Sequence, residues 1–509
     1  MNQNNKKLIN IGLIFIVGLY LFYFIFWWTF KLSIIPGLHG DEAWVGLQAL
    51  HFKRDHLDRL SGMNHYTGIL QPYLSSVVFS LIGEGVFQLR VIGPIFNFLG
   101  LIIIILIFRS TRYYHATAIF LLITGQSVLL LISPRIAWEV NSFTLFFIAL
   151  LLLSLYMIQV KNRFIVQNIG YFLFLITNII GTYNHVIFSC ISMAGLMGLV
   201  IWSIQNKSLR HKNLLVLSLI NAFNLVLLFY IMQHDTDQLL SIRGYVTALI
   251  FALILAEIYF LFFLIKIRIN DVPFKISKVM TIVLFVACFN SFAYFHGIAF
   301  FQLLTSSKVL LHFFSYQTSL FQNILYLIGG CTYLLVLILF LAEDITTPTK
   351  SIYSWVIISY LGLFSLYTIN CSFRYYLSIF ILCTIYIAFK FNERAKGRYL
   401  FLGLMLLLTV CVNQNLFEIF IDDNRAITPV YFNMGNGQME TSAHFLPNKP
   451  VVDFLIQRRA SKVSYGSNQF FLKEPVDFFY AIKPWPKLAN SSATIDYDFQ
   501  NAGRCYRLF

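Results

Sequence analysis

The stretch LINIGLIFIVGLYLFYFIFWWTFKLSIIPGLHGDEAWVGL, residues 8–47, contains the two features that decide the fold. Its first part, residues 8–30, is an apolar run that is long enough to cross a bilayer as a helix. The run follows Lys6 and Lys7 and has no small-residue cleavage site, so we interpret it as a retained membrane span rather than a signal peptide. Its second part places Asp41 and Glu42 side by side just beyond that span.

The rest of the chain continues this apolar pattern. Hydrophobic residues make up 58% of the 509 residues, charged residues make up only 12%, and the mean hydropathy is +0.73. A soluble globular domain is nearer a quarter charged. Apolar runs of span length recur as far as about residue 415. The composition therefore excludes a soluble globular protein and predicts a polytopic α-helical membrane protein.

We predict about thirteen transmembrane helices. Their approximate bounds are 8–30, 88–108, 116–132, 142–160, 166–183, 186–204, 213–232, 245–265, 279–295, 321–341, 351–369, 377–390 and 399–415. Lys and Arg are concentrated in one of the two alternating sets of loops, and such loops are typically cytoplasmic. The formal charge of +15 is thus attributed to membrane topology rather than to nucleic-acid binding. This orientation places the N-terminus inside and the C-terminus outside.

The domain organisation follows from where the polar segments lie. Residues 1–415 form the predicted transmembrane domain, with a first outer loop over residues 31–87 that carries the acidic pair. The apolar residues after Asp41 recur at helical spacing, which predicts a helix lying in the membrane interface. Residues 296–320 are predicted to form an outer loop or a re-entrant piece. Residues 416–509 are more polar and predict a small periplasmic α/β domain.

Unusual polar residues cluster at the outer ends of the predicted spans. They occur in SPRIAWEVN (133–141), TYNHVIF (182–188) and NCSFRYYLS (370–378), where charges stand beside bulky apolar residues. Ionisable groups near lipid are costly and usually line a cavity. The sequence therefore predicts one outward-facing polar pocket built from several loops. Adjacent residues on a helix point about 100° apart, so we expect only one carboxylate of the acidic pair, Asp41, to reach into it.

Three motifs of the first outer loop resemble a known family. GLHGDEAWVGLQAL (37–50), NHYTGILQPYL (64–74) and GEGVFQLRVIG (83–93) resemble the first outer loop of GT-C-type membrane glycosyltransferases. The resemblance is to bacterial relatives of the dolichyl-phosphate-mannose protein mannosyltransferases, in the superfamily of the lipid A aminoarabinose transferases. The later segments SPRIAWEVN and FRYYLSIF (373–380) occur in the order that this family has.

The resemblance implies an enzyme that transfers a sugar from a polyprenyl-phosphate donor to an acceptor hydroxyl on the outer face, with inversion. The acceptor is a glycan, a lipid or a protein, and the location is a bacterial inner membrane. Asp41 is the expected general base and Glu42 a second catalytic acid. Arg374 is the first choice for binding the lipid phosphate. The other expected substrate-binding residues are Tyr375, Arg135, Glu139, Arg90, Lys308, His65 and Trp44.

Several alternatives stay open on the sequence alone. A divalent metal held by His39 and Asp41 is one, and no other cofactor is predicted. Arg135 could instead cap the turn at Pro134. Glu139 could instead pair with Arg135, which lies four residues away and on the same face of a helix. His185 is interpreted as a hydrogen-bonding residue at a span end. Two alternative functions also remain: a polytopic transporter or flippase of lipid-linked glycans, and a polysaccharide polymerase or ligase.

Overall fold

The structure is a computed structural model, and it describes most of the chain. The described residues are 3–55, 57–110, 114–160, 163–205, 211–234, 247, 250–251, 253–258, 261, 278–314, 316–346, 351–367, 373–393, 397–421, 431–433, 439–441, 445–446, 448–465, 469–486, 491–497 and 506–508. The span predicted at 245–265 lies largely outside these ranges.

Among the described residues, the N-terminal half is helical apart from one short strand and the connecting turns. Its elements are α1 (Gln3–Thr29), β1 (Leu38–His39), α2 (Gly40–Asp55), α3 (Leu70–Ile82), α4 (Val86–Arg90), α5 (Ile92–Ser110), α6 (Tyr114–Gly125), α7 (Val128–Ile132), α8 (Glu139–Gln159), α9 (Phe164–Asn184), α10 (Phe188–Gln205) and α11 (His211–His234). The helix predicted to begin at the acidic pair is confirmed as α2.

The C-terminal half begins with helices and ends in short strands. Its described elements are α12 (Lys278–Leu304), α13 (Ser306–Phe314), α14 (Leu320–Thr346), α15 (Ile352–Phe364), α16 (Leu377–Glu393), α17 (Arg398–Ile421), β2 (Tyr431–Asn433), β3 (Met439–Thr441), β4 (Phe445–Leu446), α18 (Asn448–Arg458), β5 (Lys462–Tyr465), α19 (Gln469–Ile482), β6 (Ser492–Tyr497) and β7 (Tyr506–Leu508).

The described helices include many that suit a bilayer. By length and composition, eight of them could cross a membrane, or nine if the bent pair α6 and α7 counts as one span. Several shorter apolar helices accompany them, among them the described part of α1. This is the helix content of an integral membrane protein, as the composition predicted. The number thirteen and the sidedness of the loops stay predictions.

Two predicted segments differ from the structure. The span predicted over 116–132 is broken, because α6 and α7 meet at an angle of 80°. Ser127 begins the second helix by accepting a hydrogen bond from the backbone of Leu130, which is a typical helix N-cap.

The loop predicted over residues 296–320 is wrong as far as residue 304, because α12 continues through it. His296 is accommodated there because its two ring nitrogens bond the Tyr376 hydroxyl and the Phe364 carbonyl, each at 3.0 Å.

The last part of the chain contains the predicted mixture of helices and strands. Strands β5, β6 and β7 form one sheet in which β5 and β6 are parallel and β6 and β7 antiparallel. Helix α19 lies between the two parallel strands in sequence, as a crossover connection requires. The predicted boundary at residue 416 falls inside α17, which runs on to Ile421.

The C-terminal segments pack directly on the first outer loop. Strand β1 pairs with β4 in antiparallel register, so Leu38 faces Leu446 just before the acidic pair. Helix α2 packs against α19, and the two contribute to one buried apolar cluster. Gly46 of α2 lies against the ring of buried Phe478: a Cβ atom at residue 46 would be 2.7 Å from Cδ2 of that ring. The close approach of α2 and α19 therefore requires glycine at this position.

We predict that Gly46→Ala destabilises the protein by about 1–3 kcal/mol, because the added methyl group overpacks the contact with Phe478. The measurement is the thermal unfolding midpoint of the purified protein in detergent. Gly403→Ala is the matched control, since it is also a helical glycine but a Cβ atom there meets nothing within 4 Å. An unchanged midpoint for Gly46→Ala would contradict the packing described.

Candidate active site

Five separate parts of the chain converge on one pocket, here called the Asp41 pocket. They are the start of α2, the outer loop around residues 63–67, the start of α8, the residue that follows α9, and the turn that precedes α16. The pocket contains about 370 Å³ of space not filled by atoms, part of it open to solvent. Its lining residues are Asp41, Val45, Met63, Asn64, Tyr66, Thr67, Glu139, Val140, His185 and Arg374.

Asp41 and Arg374 face each other in this pocket. Nη1 of Arg374 lies 3.4 Å from Oδ2 of Asp41, and about a fifth of each side chain remains exposed. Burial raises the pKa of the Asp41 carboxyl above its ordinary value, although the nearby Arg374 acts in the opposite direction. The sequence predicted these two residues for one site, and the structure brings them together.

The guanidinium of Arg374 is held by aromatic rings. It lies 4.4 Å from the ring centre of Trp138 and 5.2 Å from that of Tyr375, both within the range of a cation–π contact. Nη2 of Arg374 also approaches the Tyr375 hydroxyl at 3.4 Å. Its Nε is buried and has no hydrogen-bond partner among the described residues. The arginine is therefore fixed in place with donor capacity to spare.

Glu139 is the second carboxylate of the pocket. It begins α8, where the helix dipole favours an acid, and its side chain is buried. Its side chain lines the pocket together with Asp41 and Arg374. It does not pair with Arg135, because the extended residues Ile136 and Trp138 separate Glu139 from the short turn that carries Arg135. That alternative reading of Glu139 is therefore wrong.

Glu42 points away from the pocket into a buried ion pair. Its two carboxylate oxygens accept bonds from Nε and Nη2 of Arg90 at 2.9 and 2.8 Å, and neither side chain is exposed. The same carboxylate accepts the backbone N–H groups of His39 and Ala137 at 3.1 and 2.8 Å. Arg90 uses its remaining donors on the carbonyls of Leu32, Pro36 and Gly37.

These contacts correct two of the sequence predictions. Glu42 has no accessible oxygen to serve as a catalytic acid, and Arg90 has no free donor to bind a phosphate. The pair instead joins the start of α2 to α4 and to the segment just before Glu139. Asp41 and Glu139 are thus held in relation to each other by a group that lies behind the pocket.

Arg135 is also a structural residue rather than a phosphate-binding one. It is fully buried, and it donates to the backbone carbonyls of Trp27, Phe30 and Ile35 at the end of α1. Its guanidinium also lies 4.7 Å from the ring centre of Phe420. The prediction that it contacts substrate phosphate conflicts with this set of partners.

Three other predicted binding residues lie outside the pocket lining. Trp44 packs against the C-terminal cluster and lies under the Arg59 guanidinium. The ring of His65 faces Tyr230 at 6.1 Å rather than Asp41. Lys308 is an exposed residue of α13. Tyr375, by contrast, adjoins the pocket through its contacts with Arg374 and with the ring of His185.

The donor set does not fit the metal site considered from the sequence. Nδ1 of His39 accepts a hydrogen bond from the Asp41 backbone at 3.0 Å, so this nitrogen is already engaged. Among the described residues, no group of three or more His, Cys, Asp or Glu side chains is arranged to hold a metal ion.

The sequence placed His185 in a segment of the predicted pocket, as part of TYNHVIF, but it did not assign the loop residues Met63 and Thr67 to the site. The backbone joins these segments, since Val186 N–H donates to the Tyr66 carbonyl and Gly68 N–H to the Asn184 carbonyl, each at 3.0 Å. Backbone pairing between segments so far apart in the chain leaves no pattern in the local sequence, so it could not be predicted. The only signal was that His65, Tyr66 and the TYNHVIF motif all lie at predicted outer span ends.

Comparison with known proteins gave matches only among solved structures. No family model and no curated protein matches the sequence. The chain is similar to ArnT from Cupriavidus metallidurans bound to undecaprenyl phosphate, at 9% identity and a TM-score of 0.39, over 95% of this chain and 93% of that chain. It is also similar to the archaeal oligosaccharyltransferase AglB from Archaeoglobus fulgidus in complex with an inhibitory peptide and a dolichol-phosphate. That match has 13% identity and a TM-score of 0.47 over 94% of this chain and 60% of AglB.

We predict that Glu42→Gln lowers the stability of the folded protein by about 3–5 kcal/mol, because it leaves the charge of buried Arg90 unpaired. The measurement is the thermal unfolding midpoint. Glu84→Gln is the matched control, since Glu84 pairs with Lys53 at 3.0 Å near the surface and such pairs contribute about 1 kcal/mol or less. Equal effects of the two substitutions would contradict the role assigned to Glu42.

Proposed function

We propose that this protein transfers a sugar from a polyprenyl-phosphate-linked donor to an acceptor hydroxyl, with inversion at the anomeric carbon. The observation that supports the proposal most is the pairing of Asp41 with Arg374 in a pocket at the ends of apolar helices. A base and a fixed cation side by side are what such a displacement needs. The class of donor comes from the family that the sequence resembles.

In the proposed reaction Asp41 is the general base. The acceptor oxygen forms a bond to the anomeric carbon while the bond from that carbon to the phosphate oxygen breaks. Asp41 takes the proton of the acceptor hydroxyl, and the polyprenyl phosphate leaves with the bonding electron pair. A carboxylate whose pKa is raised by burial is a stronger base than an exposed one, so it is better matched to this step.

Arg374 has two functions in this proposal. Its positive charge favours the ionised form of Asp41 before substrate binds, since it opposes the effect of burial on the carboxyl pKa. When the donor binds, the guanidinium stabilises the charge that develops on the leaving phosphate, and fixed cations of this kind contribute strongly to catalysis. The stacking of Arg374 on Trp138 keeps the cation in position without using its hydrogen-bond donors.

We predict that Asp41→Asn lowers the rate of sugar transfer by about 10²–10⁴-fold, because the general base is lost. The measurement is transfer by purified protein from a panel of undecaprenyl-phosphate sugars. The folded protein should be at least as stable as wild type at pH 7, since burial already disfavours the ionised carboxylate there and asparagine carries no charge. Full transfer activity in a folded Asp41→Asn variant would refute the mechanism.

We predict that Arg374→Gln reduces transfer by about 10²–10³-fold and also changes its pH dependence. Arg374 lowers the pKa of Asp41, so its removal raises that pKa further. The base is then protonated at a higher pH, and the acid limb of the rate profile moves to higher pH. The measurement is the rate as a function of pH for both proteins. An acid limb that moves to lower pH, or does not move, would show that Arg374 does not lower the pKa of Asp41.

A further inference from the structure

His185 is held in the Asp41 pocket by an unusually complete set of backbone contacts. It follows α9 in an extended conformation, and its N–H donates to the Gly181 carbonyl at 3.2 Å. It forms a β-bridge with Thr67 of the outer loop. Its Nδ1 accepts the backbone N–H of Ile187 at 3.1 Å. Both the backbone and the plane of the ring are therefore fixed relative to the pocket.

These contacts also determine which ring nitrogen carries the proton. Because Nδ1 accepts a hydrogen bond, the neutral ring must carry its proton on Nε2. Burial, with a further contribution from Arg374, lowers the pKa of His185 to about 3, so the ring is neutral at physiological pH. Among the described residues no group bonds Nε2. His185 is thus a neutral donor with one N–H unused.

The surroundings of His185 favour a hydroxyl over a phosphate. The carboxylates of Asp41 and Glu139 line the same pocket, and they disfavour a further anion at any position that the Arg374 guanidinium does not face. Glu139 is adjacent through its backbone, whose carbonyl accepts the side-chain N–H of Asn184 at 3.2 Å. The rings of Tyr66 and Tyr375 lie 5.6 and 5.7 Å from the imidazole. A neutral donor, an acceptor and aromatic rings are the groups that bind a polyol.

We propose that His185 binds a hydroxyl oxygen of the transferred sugar through Nε2–H, with Glu139 as the acceptor for a hydroxyl proton of the same sugar. The inference rests on the proposed function and deepens it, because it assigns recognition of the sugar to this side of the pocket. Arg374 is left to bind the phosphate. His185 is then a binding residue that distinguishes a sugar-bearing carrier from the bare carrier.

The test compares the binding of two kinds of lipid. The probes are undecaprenyl-phosphate glucose, mannose and arabinose on one side and undecaprenyl phosphate on the other, each titrated into purified protein in detergent. His185→Phe keeps a ring of similar size but removes the donor, and we expect it to weaken binding of the sugar-bearing lipid that wild type prefers by about tenfold. Binding of undecaprenyl phosphate should not change.

Two further variants complete the test. His185→Gln offers an amide donor and is expected to stay closer to wild type than His185→Phe. His185→Leu serves in place of His185→Phe should phenylalanine prevent folding. No change in either affinity, or an equal loss for both kinds of lipid, would overturn the assignment while leaving the proposed function intact. A wild-type protein that binds none of these lipids contradicts the proposed function and the assignment together.

Discussion

The buried ion pair between Glu42 and Arg90 is the contact on which the site depends. Both side chains are removed from water, and an unpaired charge in that position would be very unfavourable. Each oxygen and every donor has a named partner, and these partners come from the segment that follows α1, from α4 and from the segment before α8. One carboxylate thus fixes α4 and the segment before α8 relative to α2, and through Arg90 it also holds the segment that follows α1. Asp41 occupies its place in the pocket because the adjacent residue is anchored behind it.

The two neighbouring acids therefore have different tasks, for a simple geometric reason. Successive residues on a helix project about 100° apart, so one carboxylate reaches the pocket and the other reaches the interior. The expectation that only Asp41 would face the site follows from this and agrees with the structure. Which partner Glu42 has could not be predicted, because Arg90 lies 48 positions further along the chain. Pairings at such separations are set by packing and leave no local pattern.

The partners of the three arginines could not be predicted from the sequence. Arg90, Arg135 and Arg374 all stand beside apolar residues near span ends, and nothing local separates them. In the structure Arg135 is satisfied by carbonyls at the end of α1, about a hundred positions away, and only Arg374 has donors available to the pocket. The apolar helices and the acidic outer loop were predictable because periodicity and composition are local properties. Two features depend instead on contacts between residues far apart in the chain, which leave no local pattern. They are the break between α6 and α7 and the pairing of residues 66–68 with 184–186.

The pairing of β1 with β4 has a consequence for how the protein forms. Leu38 and Leu446 are roughly 400 residues apart, and the strand that contains Leu38 leads directly into the helix of Asp41. Closing so long a loop has a large entropic cost, and contacts of this range form late in folding. The segment before Asp41 thus lacks its strand partner until residues 445 and 446 have been synthesised. A ribosome-bound intermediate that lacks residue 446 would therefore present Asp41 without the strand contact that precedes its helix, so the surroundings of Asp41 are completed only after that residue has been added.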